Sequence, residues 1–296
     1  MSGERESSPG NNDLVKRLTE CYVKPPSERR SDRGLTHLPP WPEQVRAVPN
    51  CFLRAALFGA IAKGARRFLK GARIAAPEGI EIHYTGERLD QGDLDVWASV
   101  LHVLRLQAMG EQCRVRSYSL LKLMGKTDTG KNRATLHERI TRLRASAIEI
   151  KHGRKVYIGG LIDDASKDED TQEWVIVLSP RLRALFAADQ FTHVEWAVRR
   201  DLSGHQLAQW LHGFFASHAK PYPLKIETLH RLCGSEAVLI SDFTKSLRKA
   251  LGAVEAACEF HGQQFHYAIV GDLVHVKKTG SRTQRKHLAR RRKKAS

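Results

Sequence analysis

The sequence predicts an α+β fold in which one order of elements (strand, long helix, short helix, longer helix, β-hairpin) occurs twice. Three observations predict it. Apolar residues recur at spacings of three and four on either side of two short turns. Segments alternating with period two open and close each set. Ser, Thr, Gly and Asp stand at the joints, where helix starts and tight turns need them. The copies share no obvious identity, so the repeat is one of pattern. The chain divides into a disordered segment 1–37, a first domain 38–188 with an N-terminal arm, a second domain 189–276, and a disordered basic tail 277–296.

Residues 1–37 are rich in Ser, Pro, Gly and charge and offer little apolar surface to bury. LPPWPEQVRAVPN (38–50) predicts an extended arm, ordered because Trp41 needs burial. A basic stretch from Arg66 to Arg73 has no strong period. In the first copy EIHYTG (81–86) alternates like a strand, and Leu94, Trp97, Leu101, Leu104 and Ala108 share a helical face. CRVRS (113–117) follows, with Ser117 placed to cap a short helix, 118–125. The turn KTDTG (126–130) leads to a helix over 131–146 with the stripe Leu136, Ile140, Leu143, Ala147. The segments 147–162 and 173–179 are β-type and read as the hairpin, with DDASKDED (163–170) as the loop between its strands.

In the second copy HVEWAV (193–198) reads as a strand. Ser203 and Gln206 form a capping-box pair before a helix with Leu207, Trp210, Leu211, Phe214 and Phe215 on one face. PYPLKIETLHRLCG (221–234) gives a short segment and a short helix ending at Gly234. A longer helix, 241–258, buries Phe243, Leu247, Ala250, Val254 and Ala257. Two strands around Gly271-Asp272 close the set. Helix–turn–helix followed by a β-hairpin is the winged-helix arrangement. The helix after the turn enters the major groove, and the wing touches the backbone or minor groove.

The 296 residues carry 49 Lys and Arg against 32 Asp and Glu, a net charge of +17. The last 20 residues, Lys277 to Ser296, hold 10 of those basic residues and no acid; the remaining 39 still exceed the 32 acids. Basicity spread over body and tail points to a polyanion, and double-stranded DNA fits better than an anionic membrane. No apolar run reaches membrane-spanning length, and MSGERESSPG lacks the apolar core of a secretion signal. Five scattered cysteines without a C-x-x-C pair suit reduced thiols. A cytoplasmic protein with no membrane partner is expected.

WPEQVRAVPN (41–50), EIHYTG (81–86), RITRLRASAI (139–148), FFASHAKPYPLKIETLHRLCGSE (214–236) and DLVHVKK (272–278) resemble the TrfA family of plasmid replication initiators. The resemblance is scattered over 38–278 and densest at SHAKPYPLKIETLHRLCGS. It implies two tandem winged-helix domains that bind direct repeats (iterons) at a plasmid origin. It implies recruitment of the host initiator and replicative helicase, and dimers that damp replication and so control copy number. The family's best-known member carries a sliding-clamp motif just before its WP segment. Here GLTHLPPWP (34–42) lacks the glutamine and the aromatic, so a clamp contact is not carried over. The acids of 163–170 would be repelled by phosphate and are expected to point away from DNA, toward solvent or a protein.

At 100° per residue, Lys131, Thr135, Glu138, Thr141 and Arg142 lie opposite the first helix's core stripe, with Asn132, Arg133 and His137 flanking. Arg or Lys pairs with guanine O6 and N7, and Asn with adenine N6 and N7. In the second copy the outward face is Ser241, Lys245, Arg248 and Lys249. Lys151, Arg154 and Lys155 read as wing contacts to phosphate. An ordinary solvated helix surface is the competing reading of either face.

Enzyme readings find no motif. No two histidines lie two positions apart as a rolling-circle nickase needs, and there is neither H-E-x-x-H nor G-x-x-x-x-G-K-[ST]. His287 to Arg290 has a recombinase spacing but no Tyr follows it. His230 and Cys233 have a metal-pair spacing without a second pair, so packing is preferred. The carboxylates of 163–170 lack the glycine and spacing of a calcium loop. A non-enzymatic DNA binder without cofactor or metal is expected. A tandem winged-helix repressor is the alternative, separated by its target: one inverted repeat rather than an array of direct repeats. A nucleoid-type protein without sequence preference would not need two reading helices.

Overall fold

Two three-stranded sheets with the same connectivity organise the computed structural model, which describes residues 37–62, 64, 66–106, 110–187, 189–281, 284, 285 and 289. In the first copy β6 (Cys113–Arg116) pairs antiparallel with β10 (Glu173–Val177), and β10 with β9 (Asp164–Lys167). In the second, β12 (Leu224–Lys225) pairs with β14 (Leu273–Lys278), and β14 with β13 (Phe265–Val270). Each first strand is preceded by a long helix, α2 (Gln91–Leu104) or α6 (Gln206–Ala216). It is followed by a short and a longer helix: α3 (Ser117–Leu123) and α4 (Gly130–Ala145), or α7 (Ile226–Leu232) and α8 (Ile240–Phe260). The body from His37 onward forms one compact unit. The segment 1–36, most of the expected disordered N-terminus, lies outside the described residues.

Local sequence explains the helices. Asp90 and Asp93 form a reciprocal capping box that starts α2, and nearly all of that helix is buried, Trp97 and Leu101 included. Ala108, assigned to its apolar face, lies outside the described residues. Thr129 caps α4 by accepting from the Asn132 N–H, and only Leu136, Ile140 and Leu143 of α4 are buried. On α8 the buried stripe is Phe243, Leu247, Ala250, Leu251, Val254 and Cys258, while Ala257 is half-buried. Gly234, with φ +64°, follows the end of α7 where only glycine is unstrained. Gly271, with φ +60°, turns β13 into β14.

Four expectations change. The segment 147–162 is not the hairpin beside α3 and α4. It forms β7 (Ala147–His152) and β8 (Lys155–Gly159), which join β3 (Phe68–Ile74) and β4 (Ile80–Glu87) in a separate sheet ordered β3-β4-β7-β8. Ile148 and Ile150 stand opposite Tyr84 and Ile82 of β4, so the alternation finds its apolar partner there. The hairpin beside the helices is β9–β10, and half of the expected loop 163–170 is strand β9. Second, 193–198 is a strand only as far as Glu195: β11 (Phe191–Glu195) pairs with β1 (Val45–Pro49), and α5 (Trp196–Asp201) begins at Trp196, burying Trp196 and Arg199 one turn apart. Third, Ser117 does not cap α3. Its hydroxyl donates to Gln172 O (3.1 Å) and accepts from the Trp174 indole (3.1 Å). Fourth, no Ser203–Gln206 capping box forms. The Gln206 carboxamide oxygen accepts the Gln91 N–H (2.9 Å), a contact from a distant part of the chain.

The arm is ordered and more than an arm. β1 is buried throughout, the short elements α1 (Asn50–Leu53), β2 (Phe58–Gly59) and β5 (Leu89–Asp90) follow it along the chain, and the Trp41 indole donates to His102 Nδ1 (3.0 Å). The tail starts later than charge implies. Lys277 and Lys278 complete β14, and the half-buried Lys278 ammonium reaches Gln284 Oε1 (3.2 Å). Arg282, Lys286, His287 and 290–296 lie outside the described residues. Two apolar cores result, one from Leu38 to Trp196 and one from Val198 to Val276.

Candidate nucleic-acid interface

α8 presents the more open of the two helix faces. Because its apolar stripe faces α6 and β13, Ser241, Lys245, Arg248 and Lys249 are all exposed, with Ser246 among them. Lys245 meets Asp242 at 3.3 Å, but both side chains are more than half exposed, so the pair is weak and screened. Arg248 and Lys249 make no ion pair among the described residues. The Tyr267 hydroxyl donates to Arg248 O (3.4 Å), tying β13 to α8. The tip Gly271-Asp272 is exposed beside the start of α7, where Ile226 N donates to Asp272 O (2.9 Å).

α4 offers less than its helical positions suggest. Lys131 and Thr141 are exposed. Asn132 donates its amide to Thr127 O (2.8 Å) and Thr127 Oγ1 (3.1 Å). Arg133 forks onto Asp128 with two bonds of 2.6 Å, which hold the Asp128 carboxyl below its ordinary range. Thr135 donates to Lys131 O (3.0 Å). The His137 ring lies 5.5 Å from Trp174 of β10. Arg142 is lost to the interior: its guanidinium meets Asp93 at 2.6 Å and Glu87 at 3.1 Å, and Asp93 is fully buried. Burial and the neighbouring Asp90 charge push the Asp93 carboxyl up, while Arg142 opposes them.

Lys151, Arg154 and Lys155 sit on β7–β8, on a different sheet from the hairpin that packs with α3 and α4. Lys151 faces Glu81 at 3.7 Å. The tip of β9–β10 is acidic. Asp168 Oδ1 accepts the N–H groups of Asp170 (3.0 Å) and Thr171 (2.7 Å), and Glu169 pairs with Lys167 (2.8 Å).

Two features escaped the sequence reading. Arg144, exposed in the last turn of α4, extends that helix's basic face. Val238, Leu239 and Ile240 are exposed where the chain enters α8, an apolar patch at the start of that helix. An apolar run inside a turn was the available signal. His230 and Cys233 serve their own loop: His230 Nε2 bonds Ala237 O (3.0 Å), and burial pushes the Cys233 thiol up to about 12. Among the described residues no group of three or more His, Cys, Asp or Glu is placed to hold a metal, and no helix is long and apolar enough to cross a membrane.

Comparison with known proteins adds three findings. The profile of the TrfA protein family matches residues 28–278. The plasmid replication initiator protein TrfA of Escherichia coli is 28% identical over 294 residues, covering 94% of this chain and 75% of that protein. The crystal structure of domains 2 and 3 of RctB superposes with a TM-score of 0.53 over 77% of this chain and 98% of that one. At 14% identity this last likeness is one of fold.

Proposed function

Because the chain belongs to the TrfA protein family, we propose that it initiates plasmid replication by gripping direct repeats of origin duplex with two tandem winged helices, without catalysis. The observation that carries the reading is the repeated sheet order, β6-β10-β9 and β12-β14-β13, each with a helix pair inserted after its first strand. In this reading α8 and α4 enter successive major-groove faces. Ser241, Lys245, Arg248 and Lys249 line the first contact, and Lys131, Thr141 and Arg144 the second. Asn132 and Arg133 join by exchanging their surface bonds for DNA atoms. Each phosphate neutralised by Lys or Arg releases counterions, so log K falls with log salt by about 0.9 per contact.

The work of such a protein is mechanical. Several copies along an array strain the duplex, and adjacent AT-rich DNA opens at lower cost. The acidic β9–β10 tip points away from phosphate and is available to a protein. Recruitment of the host initiator and helicase, and dimers that limit copy number, belong to the same proposal. The test is a footprint on the replicon's own noncoding DNA at near-physiological salt with competitor. Protection at helical-turn multiples across direct repeats is expected. A single palindromic footprint would establish a dimeric repressor instead, and uniform, salt-labile coverage would remove sequence reading altogether.

A further inference from the structure

We propose that a polar seam along the first two turns of α2 fixes the separation of the two reading helices, making Asp95 and Arg199 positioning residues for the spacing of the DNA half-sites. The inference rests on reading α4 and α8 as groove-entering helices. Arg199, on α5 and 2% exposed, ties the second core to the first. Its Nε donates to Asp95 Oδ1 (2.6 Å), Nη1 to Gln209 O (3.2 Å), and Nη2 to Gln91 O (3.0 Å) and Gln91 Oε1 (3.1 Å). Gln209 Nε2 takes the other Asp95 oxygen (3.0 Å). A shift between the cores would leave a buried charge without the partners it has here, so this ion pair disfavours other registers.

The same stretch of α2 holds the first reading helix from its other side. Asp93 anchors Arg142 of α4, and Asp90 lies 3.9 Å from Arg139. Gly92 stands between: a Cβ there would lie 1.9 Å from Arg139 Nη1. Glycine is otherwise unfavourable inside a helix, and here it lets Arg139 lie against α2. A second strut crosses the far side, where Lys126, in the turn before α4, donates to Ser203 in the loop before α6 (2.5 Å). The struts flank a groove of about 620 Å³ lined by Lys131, Thr135, Arg139, Ser203 and Gln206. The path is therefore continuous: α4 to Asp93, α2 to Asp95, Arg199 to α6, and α6 against α8.

The test compares full-length wild type, Asp95→Ala and the surface double variant Lys126→Ala/Ser203→Ala. The probe is a duplex selected by the wild-type protein, and the same duplex with about 5 base pairs, half a helical turn, inserted between the halves. Wild type is expected to lose about tenfold or more in affinity on insertion, and the variants less than about threefold. An equal loss in all three overturns the proposal. Asp95→Asn, which keeps the side chain's shape and removes the charge facing Arg199, decides the matter if Asp95→Ala does not fold. Distance distributions between spin labels on α4 and α8 in the DNA-free protein give an independent readout. They should be narrow in wild type and broad in the variants, and an unchanged width overturns the proposal. Should wild type bind no duplex, the groove reading has failed, and the label distances alone decide the seam.

Discussion

The two copies share a sheet order and differ in what the helix after each turn, α4 or α8, does with charge. On α8 the basic side chains stay on the surface, with Arg248 and Lys249 unpaired among the described residues. On α4 Arg142 is paired inside, while Arg133 and Asn132 are held by the turn before the helix. On the function proposed above, charge left in solvent supplies salt-dependent affinity, and charge pinned to the protein supplies position. Similar residue types on similar helices therefore divide the labour.

The sharpest way to break this comparison is to remove the pinned charge. Arg142→Ala leaves Asp93 buried without its main partner, and about 3 kcal/mol of stability should be lost, read by urea denaturation. A variant as stable as wild type would return Arg142 to the surface set. Removing the free charge should do the opposite. Lys245→Ala/Arg248→Ala/Lys249→Ala should melt as wild type does, while the slope of log K against log salt falls by up to about 3 units. Normal affinity would take α8 off the DNA.

Acid should separate the two cores. Burial holds His212 at about 3 and His218 at about 4, both in the second copy, and His102 at about 4 in the first. These rings stay neutral when folded and protonate near pH 6.5 when unfolded. The unfolded state then binds more protons, so the stability present above pH 6.5 is lost as pH falls toward about 4. In the first copy the raised Asp93 opposes this, because its folded form takes up a proton before its unfolded form does. Melting at pH 7 and pH 5 should show the second core failing first, and His212→Leu should flatten the dependence. Equal acid sensitivity of both cores would refute the assignment. The smallest effect is expected at the acidic tip. Asp168→Asn/Glu169→Gln/Asp170→Asn should leave DNA affinity within about twofold, and a clear rise would place the tip against phosphate.

The legibility of the chain follows from the range of its interactions. The stripe of α8 and the Gly271-Asp272 hairpin were readable because their partners are near in sequence. Lys131 and Arg142 look alike at 100° per residue, since nothing local reveals that Asp93, forty-nine residues earlier, takes one of them. The alternation of 147–152 announced a strand without saying which sheet would accept it, because β4 was the deciding partner. Ser203 and Gln206 satisfied a capping rule, yet Lys126 and Gln91 claimed them.

The pairing of β1 with β11 carries a consequence for biosynthesis. Val45 meets Glu195, so an apolar edge strand emerges from the ribosome early and waits for nearly the whole first core to be translated before its partner appears. Such a strand is an aggregation hazard while it waits. A fragment cut at residue 188, where the repeated pattern of elements predicts a domain boundary, would keep that hazard permanently. One ending after Trp196 would quench it.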